Sequence, residues 1–125
     1  MSTVLIVEDD QEIRELIGDV LTLEGFTVHS LARLPHGLDR IRKIEPDVIV
    51  LDLGLPGIGG IELLRIIKED PKLGAIPIVI CSGAVETIES HRQEFEDLGI
   101  PVVRKPFHLE QLLQAVRNPV PSSSS

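Results

Sequence analysis

The sequence predicts an α/β fold, a doubly wound parallel sheet of five strands with helices on both faces. Two observations carry this. Short apolar runs rich in β-branched residues, such as Thr3-Val4-Leu5-Ile6-Val7 and Val48-Ile49-Val50-Leu51, lack the alternation of a strand with one wet face. Runs of this kind suit strands covered on both sides, as parallel strands are. Between the strands lie segments of helical period, so strand and helix alternate five times in units of about 25 residues, and right-handed crossovers then put helices on both faces.

Residues 3–7 form the first strand. Ile13, Leu16, Ile17, Val20 and Leu21 then recur at helical spacing, and Gly25 closes that helix just past its end. Residues 26–29 make a short second strand. A weaker helix runs from about Pro35 to Ile44 until Glu45-Pro46 breaks it, because a residue before proline is driven out of the helical region. Residues 48–51 are the third strand, and a helix from about Ile61 to Glu69 is stopped by Pro71. Residues 77–81 are the fourth strand. One polar helix is expected from Ala84 to Leu98, with sparse apolar positions at Val85, Ile88, Phe95 and Leu98. Val102-Val103 is a brief fifth strand, and Leu109, Leu112, Leu113 and Val116 mark the last helix.

At 125 residues the chain has single-domain length and buries roughly two-thirds of its unfolded surface. With 42% hydrophobic residues, three Phe and neither Trp nor Tyr, the core must be aliphatic. A net charge of -8 argues against direct nucleic-acid binding and against an anionic membrane surface. The cluster Arg40-Ile41-Arg42-Lys43 reads as the solvated, cation-rich end of a helix. The single Cys81 excludes an internal disulfide, fits a reducing compartment, and reads as inert packing in an apolar strand. No basic leader precedes the first strand and no run approaches the ~18 apolar residues of a membrane span, so a soluble, cytoplasmic protein is expected. Residues 1–118 read as one domain. Residues 119–125, Pro-Val-Pro followed by serines, have the composition of a flexible tail or a truncated linker.

Polar residues sit where the strands end. Glu8-Asp9-Asp10 follow the first strand, Asp52 the third, Ser82-Gly83-Ala84 the fourth, and Arg104-Lys105-Pro106-Phe107 the fifth. In a parallel sheet these ends point the same way and converge on one crevice. Each group has a plainer reading. Asp9 could cap a helix with Glu12 closing the box, Asp52 and Ser82 could serve turns, and Lys105 could be a solvated surface lysine. Convergence favours a site. Gathering Glu8, Asp9 and Asp52 costs on the order of 4 kcal/mol per close pair, which Lys105 and a hard divalent cation would offset. A few oxygen ligands suit Mg²⁺ better than zinc; His29, His36, His91 and His108 lie apart, and Cys81 is one residue too early. A carboxylate at a strand end, with metal beside it and a lysine opposite, is arranged for phosphoryl transfer to Asp52.

Four segments carry a resemblance: Val4-Leu5-Ile6-Val7-Glu8-Asp9-Asp10, Val50-Leu51-Asp52-Leu53-Gly54-Leu55-Pro56-Gly57, Ile80-Cys81-Ser82-Gly83-Ala84 and Lys105-Pro106-Phe107. In this order and at these spacings they resemble the receiver domain of two-component response regulators over about residues 2 to 118. The resemblance implies a flavodoxin-like, chemotaxis-regulator-like sheet of order 2-1-3-4-5 with one helix after each strand. It makes Asp52 the phosphoacceptor, Ser82 the switch hydroxyl and Lys105 the phosphoryl-binding lysine. It gives Mg²⁺ the ligands Asp9, Asp52 and the Gly54 carbonyl, with Glu8 holding the ion through water, and it makes the Lys105–Pro106 bond cis. The expected function is a phosphorylation-activated receiver in a phosphorelay, which catalyses its own phosphorylation and dephosphorylation without being an enzyme in the usual sense.

One position departs from the family pattern. Three residues before the lysine, where an aromatic ring is usual, stands Val102, and the segment from Gly99 to Lys105 is about one residue short. This puts ring-coupled switching in doubt, though not the phosphorylation chemistry.

Partners implied by the resemblance are a histidine kinase or histidine phosphotransfer protein, met near Asp10, Ile13 and Pro106, and a downstream protein or missing output domain. Phosphorylation-dependent dimerisation stays open. On a wheel of 100° per residue the apolar positions of the first helix spread over about 160°, wider than the ~100° stripe that core packing needs. Either the helix is deeply covered or one edge docks a partner. The polar helix after the fourth strand, with the fifth strand and last helix, is the candidate output face.

Rival readings have identifiable gaps. A dinucleotide fingerprint would need glycine at Glu62 and would follow the first strand. Aspartyl-phosphate phosphatase-like enzymes carry a second Asp two residues after the nucleophile, where Gly54 stands. A phosphorylation-independent scaffold is usually betrayed by a missing acceptor or lysine, and both are present.

Overall fold

The structure, a computed structural model, describes residues 2–32, 38–54 and 59–118. Its elements in chain order are β1 (Thr3–Val7), α1 (Gln11–Leu23), β2 (Thr27–Leu31), α2 (Asp39–Ile44), β3 (Val48–Leu51), α3 (Gly60–Glu69), β4 (Ile78–Ser82), α4 (Val85–Ser90), α5 (Arg92–Leu98), β5 (Val102–Arg104) and α6 (Leu109–Arg117). All five strands pair in parallel in the order β2-β1-β3-β4-β5. That is the predicted fold and strand order.

Side-chain alternation along the strands produces the two covered faces. Leu5, Val7, Ile49, Leu51, Ile78 and Ile80 point to one side, against Ile41, Leu64, Ile67, Ile88 and Phe95 from α2 to α5. Val4, Ile6, Val48, Val50, Val79 and Cys81 point to the other, against Ile17 and Leu21 of α1 and Leu112, Leu113 and Val116 of α6. Both sets are buried, so neither face of the inner strands meets water and the runs read as continuous apolar. Cys81 belongs to this packing, and burial pushes its thiol up to about 12.

Most expected boundaries hold, and the differences have physical causes. Gly25 takes φ 97 just after α1, and Glu45 takes φ 53 before Pro46, ending α2 where expected. The expected start of α2 near Pro35 lies outside the described residues, as do His36, Leu55-Pro56-Gly57 and the tail at 119–125. β2 runs on to Leu31 because it stays in register with β1 to the pair Val7↔Leu31. β4 starts at Ile78, since Pro77 has no N–H to give the ladder, and reaches Ser82.

The single helix expected from Ala84 to Leu98 is instead two, α4 and α5, so β4 is followed by a helix pair rather than one helix. The break is at His91 (φ -116, ψ 14), whose ring Nδ1 lies 2.9 Å from the Thr87 carbonyl oxygen. The His91 backbone N–H reaches the same oxygen at 3.2 Å. A side chain intruding on the ladder in this way is a known cause of a kink.

Candidate functional site

The strand ladders continue one residue past the ends of β1, β3 and β5 and so place the polar groups. Glu8 N–H donates to Leu31 O at 3.0 Å, Asp52 N–H to Val7 O at 3.1 Å, and Lys105 N–H to Ser82 O at 3.0 Å. Glu8 and Asp52 therefore leave adjacent strands side by side, and Ser82 and Lys105 do the same on the next pair. Carboxylate oxygens of Glu8, Asp9 and Asp52 all lie within 4.8 Å of one another. Glu8 and Asp52 are only 2% and 7% exposed, whereas Asp9 is open to solvent.

Lys105 is not a solvated surface residue. Its ammonium pairs with Glu8 Oε1 and lies 3.7 Å from Asp52 Oδ2. The Lys105–Pro106 peptide is cis, as expected. Ser82 is fully buried, and its hydroxyl accepts from the Ala84 N–H at 3.1 Å. The Gly54 N–H donates to Asp52 Oδ1 at 3.3 Å. The helix cap falls on Asp10, whose carboxylate accepts from the Ile13 N–H at 3.2 Å. Asp9 is thus free of capping duty, and the plainer reading of it, with Glu12 as its partner, does not hold.

The electrostatics split the two buried carboxyls. Burial pushes Glu8 up to about 7, reinforced by the neighbouring Asp52 carboxylate and opposed by Lys105. Burial works to raise Asp52 as well, but the neighbouring Glu8 and Ser82 side chains, the Gly54 N–H bond and the Lys105 charge outweigh it and hold Asp52 below its ordinary value. Lys105 is raised: burial works against its charge, but the two carboxylates prevail. In the metal-free pocket burial therefore favours a proton on the Glu8–Asp52 pair, while Lys105 and the Gly54 N–H favour charge on Asp52.

Two further observations bear on a cation. Among the described residues Glu8 Oε2 is buried without a hydrogen-bond partner, and the clustered donors are all hard oxygens, the set a Mg²⁺-like ion takes. These residues fit such an ion. No His or Cys of the described residues joins the cluster, so a zinc set is not formed.

One residue that sequence reasoning missed also touches the site. Arg14, in the first turns of α1, donates from Nη1 to the Glu8 carbonyl at 2.9 Å and to the Asp9 carbonyl at 3.4 Å. The only signal for it in the sequence is a cation one helical turn after an acidic loop.

Beside the pocket lies an open groove of about 430 Å³ lined by Ile13, Leu16, Lys105, Pro106, Phe107 and Leu109. Two of the three residues expected at a partner contact, Ile13 and Pro106, line it; Asp10 sits at the adjoining cap. Ile17 and Leu21 of α1 are buried, while Leu16 and Leu23 are 48% and 85% exposed. The wide apolar arc of this helix is therefore only partly covered.

Comparison with known proteins agrees with this geometry. A family model described as the response regulator receiver domain matches residues 4–117. Sporulation initiation phosphotransferase F of Bacillus subtilis is 32% identical over 123 residues, 98% of this chain and 96% of that protein. The DNA-binding response regulator MtrA of Mycolicibacterium smegmatis is 32% identical over 114 residues, 91% of this chain but 48% of that protein. The chain thus spans about half the length of this DNA-binding relative. Among solved structures, the chemotaxis response regulator CheY4 of Vibrio cholerae superposes with a TM-score of 0.80 at 28% identity, covering 94% of this chain and 97% of that one.

Proposed function

The chain belongs to the response regulator receiver domain family, and on that premise we propose that it is a phosphorylation-activated receiver whose acceptor is Asp52. The donor is a phosphohistidine on a histidine kinase or phosphotransfer protein. An Asp52 carboxylate oxygen forms the new P–O bond as the P–N bond breaks, and the departing imidazole takes up a proton. The observation that carries this reading is the convergence of Glu8, Asp9 and Asp52 carboxylate oxygens within 4.8 Å of one another, with the Lys105 ammonium 3.7 Å from Asp52 Oδ2, where it favours the ionised carboxylate that attacks.

The remaining residues take roles that follow from their positions. Glu8, Asp9, Asp52 and the Gly54 carbonyl would hold Mg²⁺, which when bound neutralises charge on the transferring phosphoryl oxygens. Lys105 holds another of those oxygens. Ser82, buried beside Asp52, gives its hydroxyl to the acyl phosphate and draws the Gly83–Ala84 loop with it. The groove at Ile13, Leu16, Pro106 and Phe107 takes an apolar helix of the donor protein, which brings the phosphohistidine over the pocket. The face made by α4, α5, β5 and α6 passes the signal to a downstream protein or an attached output domain. The cytoplasm, where thiols such as Cys81 stay reduced, is the compartment we assign to this exchange.

Incubation with acetyl phosphate and Mg²⁺, followed by intact-mass analysis, tests the acceptor. One phosphoryl adduct is expected on the wild type and none on Asp52→Asn. No adduct on the wild type, or equal labelling of both, would overturn the reading.

A further inference from the structure

We propose that Arg14 is a positioning residue for the acidic pocket, holding the Glu8–Asp9 backbone so that both carboxylates face the cation they share with Asp52. The inference rests on the receiver reading above and adds to it a residue outside the acceptor, switch and ligand sets.

Two anchors fix the loop between β1 and α1. Glu8 is anchored through its N–H to Leu31 O, and Asp10 is anchored as the cap of α1. Between these anchors, neither the Glu8 nor the Asp9 carbonyl receives a loop or turn hydrogen bond from a backbone N–H among the described residues. The Asp9 side chain makes no hydrogen bond or ion pair among the described residues, so nothing attached to its carboxylate orients it. Its direction is set by its backbone.

Arg14 meets that need. One nitrogen of its guanidinium bridges the two successive carbonyls, the bond to Glu8 short and the bond to Asp9 long. A charged donor makes a stronger bond to a carbonyl than a neutral N–H does. Arg14 also forms no ion pair among the described residues. With three carboxylates a few residues away, the side chain is directed to main-chain oxygens instead, which is the geometry of a brace and not of a counter-ion.

Brace and counter-ion predict opposite signs. If Arg14 acted only through its charge, Arg14→Gln would remove a positive charge near the pocket and tighten Mg²⁺. If it positions the ligands, Arg14→Gln loosens the loop and weakens Mg²⁺ by about tenfold, the lower end of what outer-sphere partners of metal ligands cost. Arg14→Lys keeps the charge but offers one compact donor, and falls between wild type and Arg14→Gln.

Mg²⁺ titration followed by the amide resonances of Glu8, Asp9 and Asp10 reads this directly, in protein free of phosphodonor. Labelling by acetyl phosphate at saturating Mg²⁺ is the second readout, and Arg14→Gln should recover the wild-type rate there, because the defect lies in holding the ion. Affinity equal to or tighter than wild type in Arg14→Gln overturns the inference and leaves the receiver reading intact. Absence of Mg²⁺ binding by the wild type instead removes the receiver reading and this inference with it. Should Arg14→Gln fail to fold, Arg14→Lys decides: weaker binding supports the brace, and unchanged binding overturns it.

Discussion

Glu8 and Asp52 share a space that holds one proton more easily than two negative charges, and this gives the metal-free protein a pH dependence of definite sign. The folded-state value of Glu8 is raised to about 7, against 4.5 for the ordinary group. Between those limits the folded chain keeps a proton that the unfolded chain has lost, so stability falls as pH rises through this window and levels off above about 7. Each tenfold change in proton affinity is worth about 1.4 kcal/mol. Asp52, held below its ordinary value, is ionised in folded and unfolded chains alike across this window and offsets none of the effect, so the loss is on the order of 3 kcal/mol. Denaturation midpoints in chelator at pH 5, 6, 7 and 8, followed by circular dichroism because the chain lacks Trp and Tyr, should drop across this range in the wild type. In Glu8→Gln they should stay flat, and Asp52→Asn should gain stability mainly above pH 7. A wild-type slope retained by Glu8→Gln would show that another group is responsible. Glu8, Asp52, Ser82 and Lys105 could be found in the sequence because each stands at or just past the end of an apolar run, where strand geometry dictates the position. The cap could not be assigned, since Asp9 and Asp10 are adjacent and both suited to it. Arg14 was hidden for a different reason, because its contact runs from a helix back onto a loop and depends on the path between them.

At the scale of elements, α3 is pressed against the acceptor loop at one point. A Cβ on Gly60, its first residue, would lie 2.4 Å from Leu53 Cα and 2.7 Å from Asp52 O, both backbone atoms that cannot step aside alone. The Gly60 N–H also donates to Leu53 O at 3.2 Å. Gly60→Ala is expected to destabilise the fold by about 1–3 kcal/mol, overpacking outweighing the better helix propensity of alanine. Because the clash falls on the backbone of Asp52, acetyl phosphate labelling should drop as well. Gly59→Ala, where a Cβ meets nothing within 4 Å, should change both far less; equal effects at the two positions would contradict the close-approach argument. The strands were readable from their runs, and β1 and β3 match their expected limits. The division of α4 from α5 was not, because Ile88 and Phe95, seven residues apart on one helical face, read as a single stripe. The break comes from the His91 ring competing for the Thr87 carbonyl, a local bond that periodicity does not register. Glu89, at the end of α4, pairs with both Arg92 of α5 and Arg104 of β5, so the two short helices remain tied to the strand that leads into Lys105.

The whole molecule joins these scales through the shared pocket. Three elements contribute its carboxylates and lysine: the segment after β1, the end of β3 and the segment after β5. An ion held there exists only in the folded chain, so its binding free energy is added to the stability of the sheet as a unit. At a Mg²⁺ concentration 100 times the dissociation constant the gain is about 2.7 kcal/mol. An ion there would favour Glu8 deprotonated, whereas burial raises Glu8 to about 7 in the metal-free fold. Binding below that pH must therefore expel a proton, and the affinity weakens as pH falls. The expected result is a Mg²⁺-induced rise in thermal midpoint that is larger at pH 8 than at pH 6, accompanied by proton release at pH 6 measurable as a buffer-dependent heat of binding. Glu8→Gln should lose both the pH dependence and the proton release. An equal rise at the two pH values in the wild type would mean that the ion does not meet Glu8, and the pocket would then have to close around Asp9 and Asp52 alone.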